Sequence, residues 1–138
     1  MSRKLQIDLE GVVVTAPLLE AQAPKTVEAL AAASPLSGIS HHARWSGPAF
    51  NLITKVERLQ GLPPENVRHL LAPGMIVWIP QNSEMLVAYG DVRLCNSPGQ
   101  ELFGSVIGEV AEGDLDRLAA KAHTLRLEGE KPISIRVL

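Results

Sequence analysis

The sequence predicts one mainly β domain over residues 1–138, a closed or nearly closed antiparallel β-barrel with two short peripheral helices. Three observations lead there. Period-two alternation or β-branched runs recur at short intervals, only two longer segments carry a helical spacing, and Gly and Pro fall between them as turns instead of gathering into a linker. Many strands with few helices favour a barrel over a parallel α/β sheet, and an alternating C-terminal segment is available to close it.

Leu5, Ile7 and Leu9 alternate with Lys4, Gln6 and Asp8, the period of a half-buried strand. Glu10-Gly11 is a turn, and Val12-Val13-Val14-Thr15 supplies the second strand of an antiparallel hairpin. Pro24 suits a first helical turn, where no amide N–H is needed, and Val27, Leu30 and Ala31 follow at helical spacing until Ser34-Pro35. Strand character returns at 37–46 and 48–53, separated by Ser46-Gly47. Pro63-Pro64-Glu65 starts a further helical turn through about Leu70. After Pro73-Gly74, residues 75–79 and 84–89 form a central hairpin around the break at 80–82. Residues 102–110 read as a strand in which Gly104 and Gly108 mark bulges or close backbone approach. Asp114 is placed as the cap of a helix with Leu115, Leu118, Ala119 and Ala122 on its apolar face. Ile133, Ile135 and Val137 then alternate with Ser134 and Arg136 as the closing strand.

Hydrophobic residues at 46% and charged residues at 20% suit a packed globular core, and no repeat or low-complexity tract divides the chain. The formal charge of -2 offers no broad positive field for nucleic acid or anionic lipid, so no nucleic-acid partner is expected. No stretch approaches the roughly 18 consecutive apolar residues of a membrane span, and Met-Ser-Arg-Lys is followed by alternation, so neither membrane insertion nor secretion is expected. The single cysteine, Cys95, cannot form an internal disulfide, which makes the cytoplasm the expected location and a small buried thiol the expected role.

The densest polar and aromatic cluster is His41-His42-Ala43-Arg44-Trp45-Ser46-Gly47. Strand alternation would set His42, Arg44 and Ser46 on one face and His41, Ala43 and Trp45 on the other. Histidine exchanges protons near neutral pH, and a guanidinium holds a carboxylate or carbonyl in a fixed fork, so His42 and Arg44 are candidate catalytic residues. An equally weighted reading makes this an exposed strand, with Arg44 paired to a surface carboxylate and Trp45 in the core. Glu84 joins the candidates as a carboxylate that orients His42, pairs with Arg44 or acts as a base, and spacing does not choose among these roles. Arg44, Trp45, Tyr89 and Ser97 are the candidate substrate-binding residues, although Asn96-Ser97-Pro98-Gly99 also reads as a turn bonded to itself. Adjacent His41 and His42 would point apart, so no metal is expected. Without a phosphate loop, nucleophile elbow or dinucleotide fingerprint, no cofactor is expected either. His69 and His123 are expected to face solvent near helices.

The run His42-Ala43-Arg44-Trp45-Ser46-Gly47, with Ser83-Glu84, Tyr89-Gly90 and the glycine-punctuated strand before Glu112-Gly113, resembles a bacterial and archaeal cyclophilin-like family of uncharacterised function. Pro73-Gly74 through Pro80, the stretch Ile107-Gly108-Glu109-Val110 and the final Gly129-Glu130-Lys131 are similar to the wider group of small cyclophilin-like proteins. The resemblance covers most of residues 37–118 and implies the barrel more strongly than it implies a reaction. Two departures stand out: Pro48 occupies a position where the family pattern implies an acid, and Ser105-Val106 replaces an Asn-His pair.

The leading expectation is a pocket for a small polar metabolite. Arg44 would hold an anionic or carbonyl group, His42 and Glu84 would handle protons in a hydrolysis or isomerisation, and Trp45 or Tyr89 would form a wall. A non-catalytic accessory or interaction subunit, associating through strand edges and forming homo-oligomers, is the second expectation. Prolyl isomerase-like peptide binding, which the resemblance implies because true cyclophilins set an arginine beside an aromatic-lined groove, ranks last: Arg44 and Phe50 are the faint counterparts, and aromatics are only 4%.

Overall fold

The computed structural model describes residues 3–97 and 99–138. Strands β1 (Lys4–Leu9) and β2 (Val12–Pro17) form the expected hairpin. Its two turn residues, Glu10 at φ 45° and Gly11 at φ 92°, both take the left-handed region that a two-residue hairpin needs to match strand twist. The Gly11 N–H donates to Asp8 Oδ1 at 2.8 Å, which fixes the turn. Helix α1 (Pro24–Ala33) follows, then β3 (Leu36–Ser40) and β4 (Ala49–Ile53). Four more strands are β5 (Val67–Arg68), β6 (Leu70–Leu71), β7 (Met75–Ile79) and β8 (Glu84–Ala88). The chain ends with β9 (Val92–Arg93), β10 (Cys95–Ser97), β11 (Gln100–Glu101), β12 (Gly104–Glu109), α2 (Glu112–Glu128) and β13 (Lys131–Val137).

The described strands fall into four hydrogen-bonded sheets and are not closed into one ring. A four-stranded sheet has the order β2-β1-β13-β3, and a five-stranded sheet the order β4-β8-β7-β12-β5. The C-terminal strand alternates as expected, but it is inserted between β1 and β3 and closes nothing. Just past the edge strand β2, the chain is linked to the other sheet by an isolated bridge, Leu18 to Gly108, and by the Leu19 N–H donating to the Ile107 carbonyl at 2.7 Å. Gly108 sits at a bulge in β12, and a Cβ at Gly104 would lie 3.1 Å from Val77 Cβ, so each glycine does what its place in the strand suggested.

At the centre of the five-stranded sheet, β7 and β8 are buried on both faces, which explains their unbroken apolar runs. Phe50, Leu52, Trp78, Met85 and Val87 pack on the first sheet and the helices, in one core with Ile7, Leu30 and Leu118. On the reverse face Ala49, Val77, Ile79, Leu86 and Ala88 pack with Leu71, Val92, Leu94 and Leu102. Asn51 and Glu84 alternate onto this second face, and both are buried there.

No helix forms at 63–70; a 3-10 turn lies earlier, at Glu57–Leu59. Asn66 takes a left-handed φ of 49°, which a right-handed helix does not accommodate, and the chain continues extended into β5. Glu65 is used elsewhere. Helix α1 has Ala23 at its N-cap and no side-chain cap of its own; instead Glu65 accepts from the Thr26 N–H at 2.7 Å, the Thr26 hydroxyl at 2.8 Å and the Lys25 N–H at 3.2 Å. Burial pushes the Glu65 carboxyl up, but the Thr26 and Lys25 donors outweigh it and leave the group below its ordinary value. A depressed folded pKa contributes stability above the unfolded value, lost as pH falls through the folded one. Glu65→Gln should therefore lower stability by about 1 kcal/mol at neutral pH. Denaturant titrations should show that deficit vanishing in acid, below the ordinary carboxylate range; a deficit constant with pH would contradict the capping role.

Helix α2 runs for 17 residues, so only α1 is short, and it buries Leu118, Ala122 and Leu125 while Leu115 and Ala119 are half-buried. Asp114 is not its cap. The helix starts at Glu112 with Ala111 at the N-cap, which places Asp114 inside the first turn, where its Oδ1 accepts from Arg117 Nη2 at 3.0 Å. Among the described residues, no helix is long and apolar enough to cross a membrane.

Candidate functional site

Residues 41–46 are not a continuous strand. Strand β3 ends at Ser40, His42 makes one isolated bridge to Phe50, and residues 44–48 bend. Ala43 N–H donates to the Ala49 carbonyl at 2.8 Å, pinching the segment between them into a loop. Gly47, at φ 117°, supplies a backbone conformation that residues with a Cβ rarely take. The two-face alternation therefore fails, and His41, His42, Ala43, Arg44, Trp45 and Ser46 all border one cavity of about 520 Å³. Trp45 is 54% exposed and forms part of the rim, which removes it from the core.

The rim is tied to the opposite wall. Ser46 Oγ donates to the Cys95 carbonyl at 3.2 Å and accepts from the Cys95 N–H at 3.1 Å, while the Arg93 N–H donates to the Ser46 carbonyl at 3.0 Å. Cys95 is half-buried, not buried as expected, because its thiol lies along this seam and donates to the Trp45 carbonyl at 3.1 Å. His41, His42, Arg44 and Trp45 also border a second cleft of about 630 Å³, which Arg126 and Glu130 line as well. His41 Nε2 meets Glu130 Oε2 there at 2.8 Å.

The cavity wall is apolar at Ile53, Ile79, Leu86 and Leu102, with a polar patch at Asn51, Asn82, Glu84 and Asn96. Asn51 fixes the chemistry of this patch. The His41 N–H donates to Asn51 Oδ1 at 2.9 Å, and because a backbone N–H can only donate, the Asn51 amide nitrogen must face Glu84. It donates to Glu84 Oε2 at 2.6 Å, and Asn82 Nδ2 donates to Oε1 at 3.2 Å. Glu84 thus makes no hydrogen bond to His42 or Arg44 and orients neither. Arg44 is exposed at the cavity and makes no hydrogen bond or salt bridge to any described residue.

Both ring nitrogens of His42 are engaged. Nδ1 lies 2.8 Å from the Ala43 carbonyl, an acceptor only, so Nδ1 carries the hydrogen; in the neutral ring Nε2 must then accept from the Tyr89 hydroxyl at 2.6 Å. Burial pushes the Tyr89 phenol up, which keeps it a donor, with Arg126 pulling weakly the other way. The two rings also meet edge-on, with centroids 5.6 Å apart. Tyr89 does not line the cavity; it holds His42 from behind. Ser97 is also outside the cavity, its hydroxyl donating to Gln100 Oε1 at 3.1 Å, whereas Asn96 lines it. Pro98 lies outside the described residues.

His69 does not face solvent beside a helix. It is held between strands, with Nδ1 donating to the Leu102 carbonyl at 3.0 Å and Nε2 3.3 Å from Glu101, whereas His123 is exposed on α2 as expected. Among the described residues, no three His, Cys, Asp or Glu side chains converge as a metal-binding group. The sequence reading missed Asn51, whose signal is a lone amide inside the apolar run Ala49-Phe50-Asn51-Leu52-Ile53.

Solved structures share the fold, McbB and AF2241 among them. The structure of McbB in complex with tryptophan superposes with a TM-score of 0.72 at 21% identity; the match covers 96% of this chain but 44% of McbB. The solution structure of the hypothetical protein AF2241 from Archaeoglobus fulgidus gives a TM-score of 0.67 at 18% identity, covering 98% of this chain and 94% of that one. At these identities the likeness is one of fold alone. No curated protein matches the sequence. A family model does match, over residues 5–137 and hence across both main sheets and the whole cavity, and the chain belongs to that family, DUF3830, a protein family of unknown function.

Proposed function

We propose that this protein is a small-molecule-binding domain of cyclophilin-like type, and that the cavity beneath residues 41–46 takes a small polar ligand bearing a carboxylate or carbonyl group. The observation that carries this reading is Arg44, a guanidinium bordering the cavity with no partner among the described residues. A planar fork of N–H donors suits a carboxylate, and exposed Trp45 offers a flat surface beside it. The tryptophan in the McbB complex supports a small-molecule reading for a domain of this shape. Binding is the better-supported half of the reading: with both nitrogens of His42 engaged, a proton-transfer role would require the ring to give up Tyr89 or Ala43.

Thermal-shift screening against small carboxylates and amino acids should find stabilising ligands, and calorimetry on Arg44→Lys should then show binding weakened about tenfold, since an ammonium keeps the charge but loses the fork. His41→Gln should change little, because His41 spends its ring on Glu130. No stabilising carboxylate, or equal binding by wild type and Arg44→Lys, would remove the proposal.

A further inference from the structure

The cavity holds a second charge that the reading above leaves without a role. Glu84 is 8% exposed, and among the described residues no Lys, Arg or His lies within ion-pair distance of it. Its bonds come from two neutral amides, one to each oxygen, leaving acceptor capacity on both oxygens of a group that borders the cavity. A buried carboxylate is costly unless a cation or several donors meet it. A purely anionic ligand would bring a second negative charge into the same space, and a purely apolar one would complete its desolvation without compensation.

Resting on the assignment of Arg44 to a carboxylate, we infer that the ligand is a zwitterion: an amino acid or short homologue whose ammonium donates to Glu84 while its carboxylate meets Arg44. Three ammonium hydrogens suit the open acceptor positions on Glu84. The apolar wall of Ile53, Ile79 and Leu86 would receive an aliphatic or aromatic side chain, which selects apolar amino acids over charged ones.

Calorimetry on the wild type with two matched sets decides this: L-leucine, 4-methylpentanoate and 3-methylbutylamine, then L-phenylalanine, 3-phenylpropionate and 2-phenylethylamine. In at least one set the zwitterion should bind about tenfold or more tightly than either half-ligand. Glu84→Gln, nearly isosteric and still able to accept from Asn51, should remove that advantage while leaving the amine-free acid unchanged or bound more tightly. Acids that bind as tightly as their amino acids, or an advantage that survives Glu84→Gln, would overturn the inference; so would failure of both amino acids to bind at millimolar concentration. An acid that matches its amino acid yet weakens in Arg44→Lys would leave the Arg44 reading standing and remove only the zwitterion. Should Glu84→Gln fail to fold, the wild-type comparison within each set still decides.

Discussion

Asn51→Leu should lower the unfolding free energy by about 2–4 kcal/mol, despite placing an apolar residue in an apolar strand. The substitution removes the donor to Glu84 Oε2 and the acceptor for the His41 N–H together. It leaves Glu84 in the same low-dielectric face of the sheet with only the longer 3.2 Å bond from Asn82. The loss belongs to the pair and not to the asparagine alone, so a second change should reverse part of it. In Asn51→Leu/Glu84→Leu the uncompensated carboxylate is gone, and the double variant should be more stable than Asn51→Leu alone by about 1 kcal/mol or more. Urea titrations of the two single variants, the double variant and the wild type supply the cycle. Strictly additive losses would show that Asn51 and Glu84 do not act as a pair, and a neutral Asn51→Leu would show that neither is buried as a unit.

What the sequence could disclose about this site divides according to how far apart the interacting residues lie. The Glu10-Gly11 hairpin, the buried runs of β7 and β8 and the alternation of β13 are written in neighbouring residues, and each was legible. Strand partners are not local, so β13 looked like a closing strand although it pairs between β1 and β3. The cap of α1 was invisible for the same reason: Glu65 and Thr26 are 39 residues apart. Asp114 misled differently, since a good capping residue lay two positions inside a helix that begins at Glu112. Residue types at 41–46 and 84 singled out side chains that border one cavity, because a cluster of ionisable and aromatic side chains is visible without geometry. Their orientation was not, since period-two reasoning holds only while the backbone stays extended, and the bond from Ala43 to Ala49 ends that extension.

One of the contacts that hold that loop is steric, between Pro48 and Gly90, and Gly90→Ala should disturb the loop more than any exposed substitution in the cavity rim. A Cβ at Gly90 would stand 2.5 Å from Pro48 Cγ and 3.1 Å from Pro48 Cβ, inside the distance at which real side chains coexist. A proline ring cannot swing aside as a flexible chain end would. Backbone must move instead, at about 2–3 kcal/mol by the usual cost of overpacking. The segment that would shift joins the two elements of the site, because the Tyr89 N–H donates to the Pro48 carbonyl at 2.9 Å and the Tyr89 hydroxyl holds His42. Glycine is required here for space and not for a left-handed backbone, so removing the obstructing ring should restore what the methyl group costs. Gly90→Ala/Pro48→Ala should therefore recover most of the loss, although Pro48→Ala alone gains nothing. Denaturation curves on the three variants give the stabilities, and the emission of exposed Trp45 reports the loop, with buried Trp78 as an internal reference. A Gly90→Ala protein as stable as wild type, or one that Pro48→Ala does not rescue, would mean that the contact between Gly90 and Pro48 does not hold the rim in place.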